Sequence, residues 1–188
     1  MPRLPLRGAD LVLMAMHSRW AAAGASNNAM MVVECDGPVP PARLRHTVDR
    51  LLDVCPWSAS RLRRPFPWGA LHWAAGRRAA LAPPPIRTVA AATSADVHRE
   101  LETDLNAAID PRVEAPLRFL LVDAGAGSRG YLVLTWFHPL MDPRGSRGLL
   151  TYLVHLDGSE AGPRGTTHPT WSGPPDPRSL RVRGALGA

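Results

Sequence analysis

Residues 117–122 and 131–137 are two apolar runs separated by a stretch of small residues from Gly125 to Gly130, and no other pattern limits the folding of this chain as strongly. The first run holds Leu117, Phe119, Leu120, Leu121 and Val122; the second holds Tyr131, Leu132, Val133, Leu134, Trp136 and Phe137. Apolar, aromatic and β-branched side chains at nearly every position suit strands covered on both faces. A glycine-rich connection between them suits an antiparallel hairpin. The two strands are therefore expected at the centre of a sheet, with other elements packed over it.

Periodicity supplies those elements. After Pro40 and Pro41, the residues Leu44, Val48, Leu51, Leu52 and Cys55 recur at three- and four-residue steps, which predicts a helix that Pro56 stops. Thr93 or Ser94 caps a second helix, with Val97, Leu101, Leu105 and Ala108 on one side and His98, Glu100, Glu102 and Asp104 largely opposite. Leu149, Leu150, Leu153 and Val154 place a third helix between Gly145 and Asp157. At the N-terminus, the apolar run 11–16 is too short to span a membrane. With Asp10 before it and His17 and Arg19 after it, the run makes a poor signal peptide, so a short amphipathic helix capped near Asp10 is expected.

Residues 29–35 read as a mostly buried strand closed by Asp36, Gly37 and Pro38. Residues 58–62 and 68–74 read as two further strands around a proline-rich turn, and 79–85 as a connector. Strands and helices in mixed order, with a hairpin, predict an α+β fold in which helices pack on a largely antiparallel or mixed sheet. Beyond Gly158 the chain turns to Gly, Pro, Ser, Thr and Arg, so a folded unit is expected over 1–157 and a tail or linker over 158–188.

The 188 residues, 45% hydrophobic and 20% charged, suffice for one real core. A net charge of +6 is carried by arginine without any lysine. The arginines are scattered, with Arg63-Arg64 and Arg77-Arg78 the longest runs, and form no stripe interleaved with aromatics, so specific nucleic-acid binding is not expected. Cys35 and Cys55 fit neither a disulfide framework nor a zinc site; both read as buried thiols in a reducing, cytoplasmic setting, and no metal is expected. Trp57, Trp68 and Trp73 read as core or edge packing.

Chemistry concentrates between Trp136 and Gly145. His138 leaves the end of a strong apolar strand, and Asp142 follows four residues later, before a helix. A loop so placed exposes an imidazole to a cleft, and Asp142 can hold the loop by accepting hydrogen bonds from backbone or arginine. Spacing alone favours a structural histidine, since a general base needs reach and orientation that sequence does not display.

The order of the segments resembles the N-terminal half of the condensation-domain superfamily of acyltransferases, which includes wax ester synthase/diacylglycerol acyltransferases and chloramphenicol acetyltransferase-like enzymes. Residues 4–14 resemble the opening helix of that family. Residues 31–38 followed by Arg43-Leu44 resemble its first strand and the helix after it, and Cys55-Pro56 with Arg61-Leu62 the stretch where a proline precedes the second strand. Residues 105–111 with Pro116-Leu117-Arg118 resemble a helix running into an aspartate and then a Pro-Leu-x-Arg strand. His138 and Asp142 fall on the second His and the Asp of the His-His-x-x-x-Asp-Gly motif.

This resemblance implies that His138 is the catalytic base toward an acceptor hydroxyl or amine, and that Asp142 is its structural support, paired with an arginine. It implies an acyl-coenzyme A or acyl carrier protein thioester as donor and no permanently bound cofactor. The chain departs from the pattern at Phe137, in place of the first His, and at Pro143, in place of the Gly. The usual arginine falls on Ala59, and Arg61 is the expected substitute, two residues on along the same strand face. Family members are far longer and bind substrate between two similar halves, so a homo-oligomer or a separately encoded second half is expected to complete the site. The alternative is a non-catalytic remnant or binding module of the same fold.

Overall fold

The structure, a computed structural model, describes residues 3–6, 8–23, 25–76, 82–125 and 129–158. In chain order the elements are β1 (Arg3–Pro5), α1 (Gly8–Ala22), β2 (Asn28–Cys35), α2 (Pro41–Val54), a 3-10 turn (Pro56–Ala59), β3 (Arg61–Arg63), β4 (His72–Ala74), β5 (Ile86–Ala90), α3 (Ser94–Asn106), β6 (Leu117–Asp123), β7 (Gly130–Phe137), a second 3-10 turn (His138–Leu140) and α4 (Pro143–Gly158). The tail expected over 158–188 lies, past Gly158, outside the described residues, as does part of the connector expected over 79–85.

The hairpin forms as expected. β6 and β7 pair antiparallel from Leu117 opposite Trp136 to Asp123 opposite Gly130, and they are the two central strands of a four-stranded sheet ordered β2-β7-β6-β5. The period of two then sorts the side chains. Leu117, Phe119 and Leu121 of β6 and Leu134 and Trp136 of β7 join the core beneath α2 and α4, with Leu44, Val48, Leu51, Leu149, Leu150 and Leu153. Leu120, Val122 and Val133 turn to the other face, against Val97 and Leu101 of α3. Helices thus cover both faces of the hairpin, which is why its sequence is apolar without alternation. β1, β4 and β3 make a separate three-stranded antiparallel sheet.

Several expectations need correction. β2 is an edge strand, and Val32, Val33 and Glu34 are exposed; a run apolar at every position looks the same in sequence whether one face or two are covered. β5 was hidden behind three prolines and pairs parallel with β6, making the sheet mixed. Residues 58 and 59 belong to the first 3-10 turn, so β3 starts only at Arg61. α1 is not amphipathic: Leu13, Met14 and His17 turn inward, yet Leu11, Val12, Met16 and Trp20 stay exposed on the outer side. Trp57 and Trp73 are core residues, whereas Trp68 is exposed. Cys55 is buried and Cys35 only half-buried.

α3 shows what sequence periodicity missed. Its start is as expected: Thr93 Oγ1 accepts from Asp96 N while the Asp96 carboxylate accepts from Thr93 N, a reciprocal capping box. Asp104, however, does not face solvent with Glu100 and Glu102. It is buried, with Arg118 Nε 3.3 Å from its carboxylate and the Thr135 hydroxyl donating to it. The last carbonyls of the helix are satisfied by side chains from elsewhere: Ser26 and Asn28 donate to Leu105 O, and Asn28 and Arg118 to Ala107 O.

Candidate active site

β7 delivers His138 to the point where the central sheet ends. Phe137 N donates to Pro116 O at 2.8 Å and His138 N to Asn27 O at 3.0 Å, so the strand is held until its last residue. The 3-10 turn then carries the chain away, and Trp136 Nε1 braces it from behind by donating to Met141 O at 2.8 Å. The buried Asn27 locks the same corner to α1 through Nδ2, which donates to Leu13 O at 2.8 Å.

The His138 side chain is half-buried, and its Nδ1 is buried without a hydrogen-bond partner. An unpaired buried polar atom costs about 1–3 kcal/mol, so such atoms are few in folded proteins. Asp142 is half-buried too, and its role is clear: Oδ1 accepts from Gly145 N at 2.7 Å, and its carbonyl accepts from Ser146 N at 3.0 Å. Asp142 is therefore the N-cap of α4, with Pro143 in the first helical position. It holds the loop through backbone donors. Among the described residues no arginine forms an ion pair with it: Arg61 instead donates to Ala59 O at 3.3 Å. Burial and the neighbouring Arg63 lower the pKa of Arg61, against the opposing pull of Glu114. Arg61 and Arg63 line a cavity of about 330 Å³ with Ala59, Ala74, Ala75, Gly76 and Ala82, none of them in the His138 loop.

A second imidazole was not foreseen. His17 of α1 packs edge-on against Phe137, with ring centroids 4.9 Å apart at 88°, and its Nδ1 is likewise buried without a partner. Burial pushes its pKa below the ordinary 6.5; Arg112 adds to the drop and Asp110 opposes it. The available signal was its spacing, three and four residues beyond Met14 and Leu13, on the inward side of the helix. Neither cysteine is an activated nucleophile, since burial raises both thiols and takes Cys55 to about 12. Among the described residues no group of three or more His, Cys, Asp or Glu side chains is arranged to hold a metal ion. No helix among them is long and apolar enough to cross a membrane.

No protein-family model matches the sequence, and no curated protein matches it. Solved structures do match. The first condensation domain of the calcium-dependent antibiotic synthetase superposes with a TM-score of 0.69 at 15% identity, over 91% of this chain and 41% of that one. The starter condensation domain of rhizomide synthetase superposes with a TM-score of 0.69 at 11% identity, over 92% of this chain and 42% of that one. The fold is that of a condensation domain. The chain spans well under half of the domains it matches, which fits a half-domain. A mutant of the rhizomide synthetase domain complexed with C8-CoA matches as well, with a TM-score of 0.67 at 11% identity, over 82% of this chain and 35% of that one.

Proposed function

We propose that the protein is an acyltransferase half-site. It moves an acyl group from a coenzyme A or carrier-protein thioester to a hydroxyl or amine, and a second half or second copy of the chain supplies the facing wall. The observation that carries this reading is His138: a half-buried imidazole fixed at the end of a central strand of a condensation fold. Near-neutral imidazole is suited to take the proton of the acceptor as it attacks the thioester carbonyl and to return it to the departing thiolate. Asp142 holds that loop in place through the α4 cap. The C8-CoA complex of a structural neighbour supports the choice of donor. We take residues 1–157 as the folded unit and 158–188 as a tail or linker, and invoke no permanently bound cofactor.

Thioester turnover, followed as released thiol with acyl-coenzyme A donors, tests the proposal. His138→Ala should cut the rate by roughly 10²–10⁴, the usual worth of a positioned base, with the melting temperature nearly unchanged. A lower melting temperature with unchanged turnover would make His138 structural. One feature favours a second reading, a binding module that keeps the fold without the chemistry: Phe137 fills the motif's first histidine position. Retained binding of acyl-coenzyme A with no turnover, in the presence of any partner chain, selects that reading.

A further inference from the structure

The formal net charge of the chain resides in one stretch. Residues 54–95 contain six arginines and no acidic side chain, while the remainder carries sixteen arginines against all sixteen acidic residues. The turn joining β3 to β4 lies inside that stretch. At its tip Trp68 is 83% exposed and Phe66 49%, and their rings touch with centroids 5.5 Å apart. Arg63 and Arg64, both exposed, stand at its base. The turn is compact: Gly69 N donates to Phe66 O at 2.8 Å and Arg64 Nη1 to Pro67 O at 3.0 Å. A Cβ on Gly69 would lie 2.7 Å from Pro65 Cγ, so the chain folds back on its own proline. Two prolines and these contacts hold the aromatic pair out in water.

Large aromatic side chains normally gain their stability by burial, and a contacting Trp–Phe pair on a projecting turn is apolar surface that no described residue covers. Aromatic rings of this kind are at home at the headgroup level of a bilayer, and arginines beside them meet lipid phosphates. A bilayer requires no complementary groove and accepts a projecting tip, and the exposed Arg63 and Arg64, in a sequence stretch without acidic residues, match an anionic surface. We propose that the 63–68 turn docks this protein peripherally on an anionic phospholipid bilayer, with Phe66 and Trp68 inserted among the headgroups and Arg63 and Arg64 on the phosphates.

Co-sedimentation of the full chain with vesicles tests this without reference to any acyl transfer. Vesicles of phosphatidylcholine mixed with phosphatidylglycerol should carry the protein down, pure phosphatidylcholine far less, and added salt should weaken the attraction. F66S/W68S should lower the partition coefficient at least about tenfold. R63A/R64A should lower it about fivefold per arginine and abolish the preference for anionic vesicles. All four side chains lie on the surface, and unchanged melting curves verify that the variants fold. Failure of the wild-type protein to sediment overturns the proposal, as does sedimentation that neither double variant reduces. Should F66S/W68S instead convert a wild-type dimer to a monomer, or abolish a complex with an acidic carrier protein while vesicles are ignored, the turn is a protein contact and the lipid assignment falls.

Discussion

Asp142 and His17 show how differently two residues of one corner respond to change. Asp142→Ala removes the α4 N-cap, at a cost of about 0.5–2 kcal/mol, and Asp142→Asn should restore most of it because an amide oxygen accepts the same bond. Thermal melting reads both, and turnover should fall together with stability in the alanine variant. His17 carries a pH dependence. Its pKa is depressed in the folded protein, so below the ordinary 6.5 the unfolded chain binds more protons than the native one. Stability contributed by the neutral ring is complete above 6.5 and is lost as pH falls toward the lowered native value. Melts between about pH 7.5 and about pH 5.5 should therefore show a larger loss for the wild type than for His17→Leu. The loop bearing His138 and Asp142 was legible in sequence because it is one short segment between a strong apolar strand and a periodic helix. His17 and Asn27 were not, because their roles depend on partners more than a hundred residues away in the chain, Phe137 and His138.

Among the elements, the ones with strong periodicity were read correctly: the β6–β7 hairpin and the helices α2, α3 and α4. β1, at three residues, is too short to repeat a period, and β5 takes its partner from a parallel neighbour that only the folded sheet provides. The inward turn of Asp104 was equally hidden, since Glu100, one turn earlier, looks alike in sequence. That aspartate fastens α3 to the sheet, and the fastening should be costly to undo. Arg118→Ala removes the nearer of the two cations beside buried Asp104 and frees carbonyls at the end of α3, so a loss of about 3–5 kcal/mol is expected in chemical denaturation. A loss below 1 kcal/mol would show that Thr135 and Arg87 suffice to hold the carboxylate.

For the whole molecule, the decisive quantity is how little of a condensation domain it represents: 35% to 42% of the neighbour's length across the first- and starter-domain matches. Val12, Met16 and Trp20 lie four residues apart on the outer side of α1 and are exposed, an apolar stripe suited to a second copy. Light scattering is expected to give a mass above the 20.3 kDa of one chain, and V12S/M16S/W20S to return it to that value. A strictly monomeric wild type with no partner chain would favour the non-catalytic binding module. The pairing of β2 with β7, Asn28 opposite Phe137, also has a temporal meaning. The hairpin closes locally within about 1–10 μs. β2, though made early, must wait for residue 137 to leave the ribosome, and with synthesis at about 5–20 residues per second that interval lasts on the order of 5–20 s. Throughout it, Met30, Met31, Val32 and Val33 have no strand to pair with, and the loop bearing His138 is set only at the end.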